Sequence, residues 1–384
     1  MLKSLSSLHR RVLAAFAAVA LLALGGGIAL GASDSASPTP PRRPLAQAVL
    51  TALQAPPVEG VAAKIRFTNR LLPAGSLPEG ATLPFGASAD GRLWLRRDGR
   101  LRLDLRSDAG DAEITYDGNR VRLYDASANT VFTFVLPHPT ASRDGGRGAL
   151  GDLAGKLGPL LSMFNVSGAT PSSTAGRPTY TVRISPKDDG GLLGAAEFAF
   201  DADHGVPLRG AVYEQGEPEP VLELAATELD YGAVSDADVA PRPHPGARTL
   251  EIHRAAAGVP ASPSTVSGVG AVRRRLGFPL AAPPELAGLP RRSVHLIRSG
   301  GTAGALGVYG RGLGSILVVQ TRATAGSTPL RELKLPQVNI DGRTGAELAT
   351  ALGTIVTFER DGVRYTVLGS VPPVAAENAA RALR

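Results

Sequence analysis

The side chains that could do chemistry are few and scattered. The 384 residues include six histidines and no cysteine. His9, His138, His204, His244, His253 and His295 are nowhere spaced as metal ligands, and no His-Glu-x-x-His helix occurs. Without cysteine there is no thiolate nucleophile, no Cys-ligated zinc or iron–sulfur cluster, no disulfide and no lipid-bearing Cys of a lipoprotein. A serine hydrolase needs its nucleophile on a sharp turn, and neither a Gly-x-Ser-x-Gly elbow nor a workable Ser-x-x-Lys pair is present. Asp201-Ala-Asp203-His-Gly205 begins like a calcium loop but lacks the later oxygen ligands and the closing Glu, so it reads as a hairpin turn. The glycine run from Gly307 to Gly314 leads into a strand pattern, whereas a phosphate cradle needs a helix N-terminus. No catalytic residue, metal or cofactor is expected, and a binding protein is expected rather than an enzyme.

Apolar alternation is what the chain carries instead. Leu93 and Leu95 alternate with Trp94 and Arg96, Asp98-Gly99 makes a turn, and Leu101, Leu103 and Leu105 alternate with charged residues. Further short strands are expected at 61–69, 112–116, 120–124 and 131–136, then at 179–184, 195–200, 208–214 and 221–231. A short helix at 45–53 precedes them, and a long Gly/Pro-rich loop spans 73–87. Residues 149–164 carry a helical stripe that includes Leu153, Leu157 and Leu160. About ten antiparallel strands are too many to stay flat, so the sheet is expected to curl into an unclosed barrel plugged by helices, giving a mainly β (α+β) fold.

Domain organisation follows from composition. Lys3, Arg10 and Arg11 precede an uncharged run over 12–32, the pattern of an export signal peptide or a signal anchor over residues 1–33. Either form leaves the rest of the chain outside the cytoplasm. Residues 34–44 read as a Pro-rich tether, 45–250 as the half-barrel domain and 251–270 as a linker. Residues 271–384 read as a smaller α+β domain, with strands at 293–297, 306–309 and 315–320, a helix at 344–352, a hairpin about Asp361-Gly362, and a last helix capped by Ser370. The net charge of +7 is spread through the chain, and aromatics are only 5%, which argues against a nucleic-acid surface. Its densest point is Arg273, Arg274, Arg275, Arg291 and Arg292, with Arg298 nearby, expected to face a partner.

These elements together resemble the LolA/LolB-like and RseB-like superfamily of envelope proteins, in its two-domain actinobacterial form. The resemblance rests on the helix at 45–53, the strand at 61–69, the Gly91-to-Arg100 hairpin, and Tyr116-Asp-Gly-Asn-Arg-Val-Arg-Leu-Tyr124. It also rests on the leucine-rich stretch at 149–164, Phe200-Asp-Ala-Asp-His-Gly-Val-Pro207, and the ending Phe358-Glu-Arg-Asp-Gly-Val-Arg-Tyr365. The resemblance implies noncovalent binding of lipid or lipoprotein acyl chains in a hydrophobic half-barrel cavity in the cell envelope. In RseB-like members it implies control of a membrane anti-sigma factor. Candidate cavity residues are Leu93, Leu95, Leu101, Leu103, Leu105, Leu153, Leu157 and Leu160, with Trp94, of opposite parity, at the mouth.

Overall fold

The computed structural model describes residues 38–72, 88–108, 110–135, 163–187, 191–252, 266–299, 302–323 and 335–383. The apolar N-terminal run, the 73–87 loop, Leu153, Leu157, Leu160, His138 and His253 lie outside the described residues. The chain divides into two compact units, one including Pro84–Lys187 and Gly194–Glu251, the other Ile252–Arg384.

In the first unit, helix α1 (Leu45–Gln54) precedes the meander β1 (Gly60–Asn69), β2 (Ala89–Arg96), β3 (Leu101–Arg106), β4 (Ala112–Tyr116), β5 (Arg120–Asp125) and β6 (Thr130–Val135). The second half is β7 (Phe164–Val166), β8 (Thr170–Thr174), β9 (Arg177–Pro186), β10 (Leu193–Asp201), β11 (Pro207–Glu214) and β12 (Pro220–Asp230). A short helix α2 (Asp236–Val239) and β13 (Arg248–Ile252) follow. They form one thirteen-stranded sheet in the order β13-β6-β5-β4-β3-β2-β1-β12-β11-β10-β9-β7, with β8 beside β9. The path ends on β13 and β7 instead of closing, so the sheet is an unclosed half-barrel. Phe164, the last residue of the expected helical stripe, instead opens β7 and pairs with Pro186.

Turn chemistry and register explain this architecture. Gly99 takes φ 88° in the β2–β3 turn, where Asp98 Oδ1 accepts the Arg100 N–H at 3.1 Å. Opposed residues share a face, so the pairs Leu93↔Leu103 and Leu95↔Leu101 put all four leucines inward, and Leu103↔Ile114 continues the row. On β12 the inward residues run Leu224, Ala226, then Leu229, a step of three that would break alternation. A bulge opposite Lys64/Ile65 absorbs the extra residue, Thr227, and keeps Ile65 and Phe67 facing the core.

Helix α1 lies on the inner face, where Ala48 packs with Tyr180, Ala169 and Phe200. Its seat is the β10–β11 turn: Gly205 has φ +66°, and a Cβ there would meet the Ala52 carbonyl oxygen at 2.5 Å. Gly205→Ala is therefore expected to destabilise the first unit by about 2 kcal/mol, because both the backbone conformation and the space favour glycine. Urea unfolding would check it, and an unchanged midpoint would refute the seat.

The second unit is an eight-stranded sheet, ordered β14-β15-β16-β17-β21-β20-β19-β18. The strands are β14 (Glu285–Leu286), β15 (Leu289–Ser299), β16 (Thr302–Tyr309), β17 (Ile316–Arg322), β18 (Gln337–Ile340), β19 (Arg343–Thr350), β20 (Gly353–Arg360) and β21 (Val363–Gly369). Val272 of α3 (Val269–Arg273) packs on Val294, Leu296 and Ala305, and Ala376, Ala379 and Ala380 of α4 (Pro373–Arg381) pack with Val356, Phe358 and Val367. The Asp361-Gly362 hairpin forms as expected, with φ 51° and 73°.

Two local readings are overturned in this unit. The helix expected over 344–352 is instead strand β19, paired from Gly345↔Phe358 to Thr350↔Gly353 on one side and with β18 on the other. Helix propensities differ by only a few tenths of a kcal/mol per residue, about the scale a two-sided ladder overrides. Ser370 does not cap α4. The N-cap is Pro372 with no side-chain bond, and the Ser370 hydroxyl donates to the Leu352 carbonyl at 2.9 Å.

Candidate functional site

The inner face of the first sheet is mostly apolar, with Asp125 and Thr130 buried on it as polar exceptions, and its two wings differ in accessibility. On the meander wing Leu93, Leu95, Leu101, Leu103 and Leu105 are 2–9% exposed, packed with Val61, Ile65, Phe67, Ile114 and Leu224. These five meet on one face and form a core. Trp94 sits on the opposite face, half-buried, with the Arg102 guanidinium 5.3 Å from its ring centroid.

On the other wing the same face stays open. The register Ala196↔Ile184, Phe198↔Val182 and Phe200↔Tyr180 sets these six side chains on the inner face, with Val166 beside Ile184. Gly210 of β11 lies under the Phe198 ring, since a Cβ there would be 3.9 Å from it. Helix α1 covers Tyr180 and Phe200, but Phe198 is 37% exposed and Val166 36%, while Val182, Ile184 and Val212 are half-buried. Val49 and Leu50 of α1 are also exposed. This strip of apolar side chains in water is where an apolar ligand gains most by burial. The sequence held the signal in the alternation of Ala196, Phe198 and Phe200, which resembles any strand until its cover is known.

The back of this wing is stiffened by buried charge. Glu197 accepts from the Tyr213 hydroxyl at 2.6 Å and from Arg209 and Arg183 at 2.9 and 2.8 Å, and Arg209 also binds Glu223. Burial alone would raise the Glu197 carboxyl, yet the hydrogen bonds from Tyr213, Arg209 and Arg183 hold it below its ordinary value. At the end of β10 the side chain of Asp201 is fully buried. It accepts from Arg177 Nε at 3.0 Å, the Tyr231 hydroxyl at 2.9 Å, and the backbone N–H groups of Asp203 and His204 at 2.8 and 2.9 Å. Asp201 and His204 thus belong to a turn, as expected from the spacing.

Of the expected partner surface, Arg273, Arg274, Arg275 and Arg292 are exposed. Arg291 is not free: its guanidinium donates to the carbonyls of Ala282 and Pro283 and holds that loop. Among the described residues no cluster of His, Asp or Glu could hold a metal ion, and no helix is long and apolar enough to cross a membrane.

No protein-family model and no curated protein matches the chain. Solved structures do. Crystalline MucB in complex with MucA(peri) is 16% identical, with a TM-score of 0.43, covering 88% of this chain and 98% of that one. A MucA/MucB complex from Pseudomonas aeruginosa is 17% identical with a TM-score of 0.41, covering 88% and 94%. A LolA-superfamily protein from Nitrosomonas europaea is 10% identical with a TM-score of 0.22, covering 52% of this chain and 98% of that one.

Proposed function

We propose that the protein is a non-enzymatic, extracytoplasmic binding protein that takes the acyl chain of a lipid or lipoprotein on the inner face of its first unit. The observation that carries this reading is the open apolar wing around Phe198, in the same sheet as a closed leucine core. The export pattern at residues 1–33 supports the compartment, where a carrier or chaperone of the envelope meets such chains. The relevant ligand face is then Phe198, Val182, Ile184 and Val212, with the meander leucines as its floor.

Phe198→Asp puts a charge at the centre of that strip. It is expected to weaken binding of a fluorescent fatty acid by about tenfold or more, since burying a Phe-sized surface contributes about 1.5–3 kcal/mol. Because Phe198 is 37% exposed, the thermal midpoint should barely move. Native mass spectrometry of the membrane-purified protein should show bound lipid. Finding no lipid and no fatty-acid uptake would sink the reading.

A second reading is an RseB-like regulator that binds a membrane anti-sigma factor. What favours it is a separate second unit whose helix α3 ends in three exposed arginines, none with an acidic partner among the described residues. MucB itself has been solved with MucA(peri). Crosslinking in the native host distinguishes the two: an anti-sigma factor captured through Arg273–Arg275 supports regulation, and lipoproteins alone support the carrier.

A further inference from the structure

We propose that the first unit carries a second binding site, on the face opposite the acyl strip, for the phosphate ester of a small polyol. The outer side chains of β3–β6 include Arg102, Asp104, Glu113, Arg122, Tyr124 and Thr133. Residues 235–247 cross them as a strap. Its start is fixed by a capping box between Ser235 and Asp238. Farther along, the Arg242 N–H donates to Glu113 Oε1 at 3.1 Å, and the Arg242 guanidinium lies 3.2 Å from Asp104. His244 stacks on Tyr124 with centroids 3.5 Å apart, and Asn129 donates to the Gly246 carbonyl at 3.2 Å. Between the strap, β13 and the strands lies a cavity of about 350 Å³, within the range of small-molecule sites.

The charges on its wall are unequally matched. Arg102 sits 2.7 Å from Asp104 and 3.4 Å from Glu113, and Arg242 adds to Asp104, so those groups answer one another. Arg120 and Arg122 also line the cavity, are exposed, and have no acidic partner among the described residues. They alternate on β5, so their Cα atoms are about 6.6 Å apart and their side chains share a face, a spacing from which two guanidinium forks can close on one phosphate. Thr133, opposite Arg122 in register, and Thr249 add hydroxyl donors. Glu251 on the same wall opposes a polyphosphate and favours a ligand with one phosphate and hydroxyl groups.

The cavity floor is also short of donors. Glu113 is 7% exposed, yet its Oε2 has no hydrogen-bond partner, and neither does His244 Nε2. Among the described residues the only charge facing Glu113 Oε2 is Arg102 Nε at 3.4 Å, longer than a good hydrogen bond, so a ligand hydroxyl can supply the closer donor. Oxyanion receptors at one end and acceptors at the other describe a polyol phosphate, supplied either as a free molecule or as a lipid headgroup.

Titration calorimetry of the full chain with glycerol 3-phosphate should show saturable binding, several-fold tighter than inorganic phosphate. The Arg120→Gln/Arg122→Gln variant should bind at least tenfold more weakly with an unchanged thermal midpoint, since both side chains are exposed and unpaired. Arg122→Lys, which keeps charge but loses the planar fork, should lie between. Phe198→Asp should leave this binding intact, which separates the site from the acyl strip. If only phosphatidylglycerol vesicles bind, and binding needs Arg120 and Arg122, the ester is a lipid headgroup. No saturable binding in either arm, equal binding by the wild type and the double variant, or no preference over inorganic phosphate would overturn the proposal.

Discussion

Asp201→Ala is expected to destabilise the first unit by about 3–5 kcal/mol, the loss typical of removing one member of a buried ion pair and leaving its partners unmatched. Four donors converge on this carboxylate: Arg177, the Tyr231 hydroxyl, and the backbone N–H groups of Asp203 and His204. The Arg177 guanidinium lies over the Tyr231 ring at 5.2 Å and His204 packs against it at 4.4 Å, so the loss propagates through one cluster joining β9, β10 and the chain after β12. Burial alone would raise the Asp201 carboxyl. The hydrogen bonds from His204, Arg177, Asp203 and Tyr231 outweigh it and hold the carboxyl below its ordinary value. A group depressed on folding contributes stability above its unfolded value and loses that contribution as pH falls through the folded one. Wild type should therefore lose stability below about pH 4, the ordinary carboxylate range, more steeply than Asp201→Asn. Parallel urea titrations at several pH values would test this. Equal pH slopes in both proteins would refute a charged Asp201 as the centre of the cluster.

Leu103→Ala carries the second large effect, about 2–5 kcal/mol by loss of buried apolar surface and creation of a cavity. Leu103 is 2% exposed and lies between Leu93 and Ile114 in register, so little can collapse into the space it leaves. Phe198→Ala, on the same face, should cost less than about 1 kcal/mol because its ring already meets water. The pair of substitutions tests the division of the face into floor and open wing. If Leu103→Ala unfolds at the wild-type urea concentration while fatty-acid binding collapses, the meander leucines line the ligand and the wing does not.

The two halves of the inner face were unequally legible. The hairpin leucines announce themselves through strict alternation about Asp98-Gly99, and the structure places all five inward. Phe198 alternates just as regularly, but its exposure depends on where α1 comes to rest, and α1 rests over Tyr180 and Phe200 because Gly205 leaves room beside Ala52. The outer-face cavity was less legible still. Glu113, Arg122 and His244 are separated by up to 131 residues and meet only because the strap crosses the strands that the meander has already ordered. Residues 344–352 show the reverse error. A run with helix-forming Ala, Glu and Leu became β19 because strands on both sides offered it a ladder.

Strands, turns and the apolar parity of each strand are local properties, set by alternation and by residues such as Asp-Gly that fix φ, so the sequence by itself determined a curled antiparallel fold without a thiol. Which apolar side chains become core and which remain open, and which charges are answered, was decided only in the tertiary structure. Burial and charge pairing are properties of contacts between distant segments, and no spacing along the chain records what will cover a given face.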